Sequence, residues 1–156
     1  MSINPIVVAD KKAGELAEIL CLGVIRAADK KNFSIKAGKL SEISRTVVER
    51  LEEEGAAMPL RFQENGPHMG SEDVSRAIDG LVATRQAERV DSDRNNGFKP
   101  GDYYEITGLG RIVYNTHREY FDGLLRRNGT SLNKLEEATK VAVADFRASL
   151  FHNRRR

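Results

Sequence analysis

Residues 71–110 read SEDVSRAIDGLVATRQAERVDSDRNNGFKPGDYYEITGLG, and the two periodicities inside this stretch decide the fold. Ser71 stands where a helix N-cap is preferred, and Glu72 and Asp73 follow in the first turn, where the helix dipole favours negative charge. Val74, Ile78, Leu81 and Val82 recur at helical spacing. A helix ending near Thr84 would bury them and turn Glu72, Ser75, Arg76 and Asp79 outward. The period then shortens. Two strands are predicted over 87–90 and 103–107, separated by residues 91–102, whose Asn95-Asn96-Gly97 and Pro100-Gly101 make an extended hairpin loop. The run GLGRIV, Gly108 to Val113, follows a strand and opens a helix as a dinucleotide-binding fingerprint would. Val113 occupies the third glycine position, so helix entry is the better account.

Upstream, Ala13, Leu16, Ala17, Leu20, Val24 and Ala28 predict a helix over 10–28 with Asp10 as its cap, and Ile19, Leu22 and Ile25 widen its apolar face enough to make it central. After the charged turn at 29–32, a second helix over 37–54 carries the stripe Leu40, Ile43, Val47 and Leu51, with Gly55 placed as a left-handed C-terminal cap. A short strand is expected over 58–62 and a loop over 63–70. Downstream, Leu109, Ile112, Val113, Tyr120 and Leu124 predict a fourth helix over 109–127 that closes at Gly129. Thr130 or Ser131 caps a fifth over 132–152, whose early Glu136 and Glu137 and late Arg154, Arg155 and Arg156 oppose the helix dipole.

At 156 residues, 40% hydrophobic and 31% charged, with one cysteine and no tryptophan, the chain has the balance of one soluble domain that folds without a metal or a disulfide. Cys21 stands alone in an apolar helical stretch, which points to a buried thiol and a reducing compartment. There is no signal-peptide pattern and no apolar run of membrane-spanning length, so a cytoplasmic location and no membrane partner are expected. The net charge of +2 is unevenly spread. Six of the 25 basic residues but only three of the 23 acidic ones lie in 130–156, leaving 19 basic against 20 acidic in 1–129. The composition changes at Gly129, which divides the expected organisation into a domain over 1–129 and a C-terminal amphipathic helix with a basic tail over 130–156.

The order helix, helix, short strand, helix, two-stranded hairpin, helix resembles a winged helix-turn-helix, and the resemblance is carried by VSRAIDGL (Val74 to Leu81) and YYEITGLG, with Tyr104, Ile106, Thr107 and Gly110 at the positions that lead from strand to helix. The preceding RFQENGPHMGSEDV is also similar, through Phe62, Gly66, Pro67 and Ser71, to Panacea-type antitoxin domains. The expected class is therefore mainly α with a small β-hairpin, a winged helix-turn-helix with an added C-terminal helix. The resemblance implies a third helix in the major groove of double-stranded DNA and a wing on its backbone. Ser75 and Arg76 would read or hold the duplex, Arg94, Asn95, Asn96 and Lys99 would form the wing contact, and Arg154, Arg155 and Arg156 would add phosphate contacts. It also implies a homodimer through Leu132, Leu135, Thr139, Ala142, Phe146 and Leu150. Packing of that stripe on its own domain is the rival.

Charge argues the other way. Helix three carries Glu72, Asp73 and Asp79 against Arg76, and phosphate attraction normally dominates nucleic-acid affinity. Two readings therefore stay open: a dimeric DNA-binding transcriptional regulator, and a winged-helix module that meets a protein partner through its acidic third helix, as a neutralising or adaptor subunit does. Catalysis, cofactor and metal have no support. His68, His117 and His152 are far apart in sequence with no cysteine at ligand spacing; Glu52, Glu53 and Glu54 point in different directions at a helix end; Asp91 and Asp93, beside Asp102 in the wing, could bind a cation, and a polar loop explains them as well. No serine or cysteine stands beside a plausible base.

Overall fold

The computed structural model describes residues 5–65, 68–93 and 99–154. Helix α1 spans Pro5–Lys30, β1 is Ile35–Lys36, a 3-10 turn at Ala37–Lys39 leads into α2 at Leu40–Glu53, and β2 and β3 are Gln63–Asn65 and His68–Gly70. Then come α3 at Glu72–Ala83, β4 at Ala87–Asp93, β5 at Lys99–Ile106, α4 at Gly108–Thr116, α5 at Arg118–Arg126 and α6 at Leu132–Arg154. The fold is mainly helical with a small antiparallel sheet of strand order β1-β5-β4.

Helix α1 is the axle. Leu16, Ala17, Ile19, Leu20, Cys21, Leu22, Val24 and Ile25 are all buried, which is burial around the whole helix rather than along one stripe. It starts earlier than expected, at Pro5, where a fixed φ and a missing N–H cost nothing in a first turn, so Asp10 lies inside the helix and does not cap it. Helix α3 covers one side of α1 and α6 another. The stripes predicted for α2 and α3 are buried as read, with Val82 partly so, and Gly55 takes a positive φ of 101° behind α2. At the start of α3 the Ser71 hydroxyl accepts from the Val74 amide at 3.3 Å and donates to the Arg61 carbonyl at 2.6 Å.

The sheet is larger than expected. Strand β1 pairs Ile35 with Tyr104 and Lys36 with Tyr103, and β4 pairs with β5 from Ala87↔Ile106 out to Asp93↔Lys99, past an irregularity between Val90 and Ser92. Ile35, Tyr103, Tyr104 and Ile106 are buried. Residues 58–62 do not form the expected strand, because their backbone has no neighbouring ladder; the Leu60 amide turns back onto the Met58 carbonyl at 2.8 Å. The segment expected as a loop instead holds the β2–β3 hairpin, whose register Asn65↔His68 leaves only Gly66-Pro67 between the strands.

The single helix expected over 109–127 is two, with the break at His117. Leu124 is buried as expected, but Leu109, Ile112 and Tyr120 are exposed, and the fully buried side chains are Tyr114 and Leu125. An aromatic ring with a polar tip can be buried where that tip finds a partner. The Tyr114 hydroxyl donates to Glu136 at 2.9 Å, and the Arg26 guanidinium lies 4.4 Å from the ring centre.

Helix α6 is the largest correction. Leu132, Leu135, Thr139 and Ala142 are buried within the chain, together with Ala138 and Val143, and Phe146 packs against the same core. Of the six residues expected at a dimer interface only Leu150 is exposed, so this stripe is not available to a second copy. α6 contacts α1 and α2, and the division into 1–129 and 130–156 does not correspond to two cores. The apolar flank of α1 needs this cover.

Two groups hold the start of α6. The Ser131 hydroxyl accepts from the Lys134 amide at 3.2 Å, and the Asp122 carboxylate accepts from the Leu132 amide at 2.9 Å and pairs with Arg126 at 2.7 Å. Thr130, the other candidate cap, buries a hydroxyl without a partner among the described residues. The Leu132 amide and the Arg126 guanidinium hold the Asp122 carboxyl below its ordinary value. A carboxyl depressed by folding contributes stability that is present above its unfolded value, about 3.9, and is lost as pH falls through the folded one. The stability advantage of the wild type over Asp122→Ala is expected to be full near about pH 6 and to shrink below about pH 4. Urea unfolding across that range measures it, and an advantage that does not change with pH would remove this account.

Candidate nucleic-acid interface

Helix α3 buries Val74, Ala77, Ile78 and Leu81 and leaves Glu72, Ser75, Arg76 and Asp79 exposed. The outward face is as read from the periodicity. It meets the sheet at a cleft of about 200 Å³ lined by Ser41 at the start of α2, Ser75 and Asp79 on α3, and Arg89 and Tyr104 on β4 and β5. Arg89 lies 5.8 Å from the Tyr104 ring centre and 3.6 Å from the Asp102 carboxylate. Lys36 is exposed on the edge strand beside it, opposite Tyr103 in register.

Of the residues expected to contact DNA, the structure places Ser75 and Arg76 together on α3. Arg94, Asn95, Asn96, Arg155 and Arg156 lie outside the described residues, as do the side chains of Lys99 and Arg154. Arg76 reaches Glu72 at 3.8 Å, with three quarters or more of each side chain exposed, which makes the pair weak and easily exchanged for a phosphate. Asp73 turns away from this face; its carboxylate accepts from the Arg61 amide at 2.9 Å and stands 3.7 Å from the Arg61 guanidinium. That leaves two carboxylates, Glu72 and Asp79, against Arg76 on the outer face of the helix. Arg89 was not singled out by the sequence, although an arginine on the strand directly after the third helix was a usable signal.

The strand-to-helix turn has a structural purpose. The Thr107 hydroxyl accepts from the Gly110 amide at 3.0 Å and donates to the Arg85 carbonyl at 2.6 Å, so it caps α4 and ties it to the end of α3. A Cβ at Gly110 would stand 2.1 Å from the Gln86 carbonyl oxygen. Gly110 is therefore required by close packing of backbone on backbone, and the GLGRIV run needs no bound cofactor to explain it.

The Cys21 thiol is buried with its sulfur 3.9 Å from the Val74 carbonyl oxygen, and burial, helped by the Glu18 charge, pushes its pKa well up. It is held in its inert, protonated form. Among the described residues no group of His, Cys, Asp and Glu is placed to hold a metal ion, Asp93 is buried while Asp91 is exposed, and Asp102 faces Arg89. Among the described residues, too, no helix is long and apolar enough to cross a membrane. No protein-family model, curated protein or solved structure matches this chain, so its functional reading rests on its own geometry.

Proposed function

We propose that the chain is a winged helix-turn-helix protein that binds double-stranded DNA through α3 and the β4–β5 wing and acts in transcriptional regulation in the cytoplasm. The observation that carries this reading is the outward face of α3, where Ser75 and Arg76 stand clear of the core and Arg89 lines an open cleft with Ser75. The sheet order β1-β5-β4, with α2 and α3 between β1 and β4 in the chain and β4 paired to β5 as a hairpin, supports it. An arginine in this position reaches base edges or phosphates. The reading does not include a dimer through α6, whose face packs on α1 and α2.

Fluorescence anisotropy with a random duplex at low salt, followed by a salt titration, tests it. The wild type is expected to bind weakly, and Arg76→Glu combined with Arg89→Glu to weaken binding about tenfold or more and to lower the salt slope by about 2. Both positions are exposed, so the fold should be kept. Loss of no affinity in the double variant, or no binding at low salt by the wild type, overturns the DNA reading. The second of these outcomes favours a protein-contact module of antitoxin or adaptor type, which the two carboxylates Glu72 and Asp79 on the outer face of α3 also favour. Such a module would present that face to a basic partner.

A further inference from the structure

A second concavity lies away from α3. It opens between the C-terminal end of α1 and the first half of α6, holds about 550 Å³, and is lined by Arg26, Ala27, Lys30 and Lys31 on one side and by Asn133, Glu136, Glu137, Thr139 and Lys140 on the other. That volume is within the range of small-molecule sites.

Its charge is the informative property. Glu136 is already engaged, accepting from the Tyr114 hydroxyl at 2.9 Å and pairing with Arg118 at 2.7 Å. The four basic groups Arg26, Lys30, Lys31 and Lys140 then face a single remaining carboxylate, Glu137. None of the four has a carboxylate within ion-pair distance among the described residues. Lysines at a helix C-terminus complement its dipole, which accounts for Lys30 and Lys31 but not for Arg26 one turn earlier or for Lys140 on the facing helix. Like charges brought to one concavity without counter-charge repel one another, and an anion held between them relieves that repulsion.

The lining also limits the kind of anion. No aromatic residue is among its described lining, and Tyr114, which bonds the lining residue Glu136, has the Arg26 and Arg118 guanidiniums 4.4 Å and 5.6 Å from its ring centre, so its face is occupied and offers no platform for a planar base. Ala27 and Thr139 are the small side chains of the lining. We propose that this α1–α6 cleft binds a small, multiply phosphorylated polar compound, recognised through its phosphates by Lys30, Lys31, Lys140 and Arg26 and not through an aromatic ring. A ligand there bridges α1 and α6, the two longest helices of the core. The inference is independent of what α3 contacts.

Isothermal titration of the full chain with inorganic tripolyphosphate at low salt is the test. Saturable binding of one tripolyphosphate per chain is expected. Lys30→Gln, Lys31→Gln and Lys140→Gln together should weaken it about tenfold or more, from three exposed ion pairs lost at once. The urea midpoint should barely move, because the three side chains are exposed. Lys36→Gln, an exposed lysine on β1 that does not line the cleft, is the control and should leave the titration unchanged. Adenosine triphosphate should bind no tighter than tripolyphosphate. No saturable binding, equal binding by the triple variant, or a marked preference for the adenine-bearing compound overturns the proposal. So does loss of duplex DNA affinity in the triple variant without a saturable tripolyphosphate site, which would make the cleft a backbone contact for nucleic acid.

Discussion

Leu135→Ala is expected to lower the free energy of unfolding by about 2–5 kcal/mol, the range for removing a fully buried leucine and leaving part of its cavity. Leu135 is fully buried. Its Cδ2 lies 3.9 Å from where a Cβ on Gly23 would stand, so the side chain rests on a position of α1 that has no side chain of its own. The surrounding backbone is helical on both sides and cannot collapse into the gap. Against a total of about 5–15 kcal/mol for an ordinary domain, such a loss moves the urea midpoint far enough to be plain by circular dichroism. The experiment also decides between the two uses of the α6 stripe. A residue serving only a dimer interface would leave the unfolding of the single chain nearly unchanged and would lower the mass seen by light scattering. A loss below about 1 kcal/mol with a fall in mass would restore the dimer reading.

Gly110→Ala is the second substitution with a large expected cost, about 1–3 kcal/mol or more, because it overfills a closed contact. The added methyl would lie 2.1 Å from the Gln86 carbonyl oxygen, 2.8 Å from Ile106 Cγ1 and 3.0 Å from the Gln86 carbonyl carbon. Two of those three atoms are backbone, so no rotamer change relieves the overlap. The Gln86 carbonyl also accepts from the Thr107 amide at 3.1 Å, and displacing it disturbs the cap of α4. Gly108→Ala is the matched control. Nothing stands within 4 Å of a Cβ there, and alanine in a helix is favoured over glycine by roughly 0.5–1 kcal/mol, so that variant should be neutral or slightly stabilised. Equal tolerance at both positions, measured by urea unfolding, would refute the close-packing account of the Gly-Leu-Gly turn.

These two sites mark what was legible in the sequence and what was not. Local signals were read correctly: the stripes of α2 and α3, the Ser71 cap, and the glycines at 55 and 129, both at positive φ. Each depends on a few neighbouring residues. Strand β1 escaped notice because two residues carry no period, and it exists only through its pairing to β5. The buried face of α4 was misassigned because Leu109 and Ile112 are more hydrophobic than Tyr114, whose burial depends on a carboxylate far along the chain, Glu136. The same holds for the surfaces. Ser75 and Arg76 share a helix face and were visible; the meeting of Arg89 with Ser75 at one cleft, and of Lys140 with Lys30 and Lys31 at another, comes from packing between elements distant in sequence.

The burial of α1 on every side has a consequence for how the chain is made. Its apolar residues 16–25 leave the ribosome about a hundred residues ahead of the α6 residues that cover one flank, from Leu132 to Val143. At about 5–20 residues per second this interval lasts roughly 5–20 s. Throughout it the nascent chain carries a strongly hydrophobic helix without its final cover, a form that chaperones and neighbouring nascent chains can bind. The core closes only after α6 has emerged, so the yield of native protein in a cell depends on that delay as well as on the stability of the finished fold.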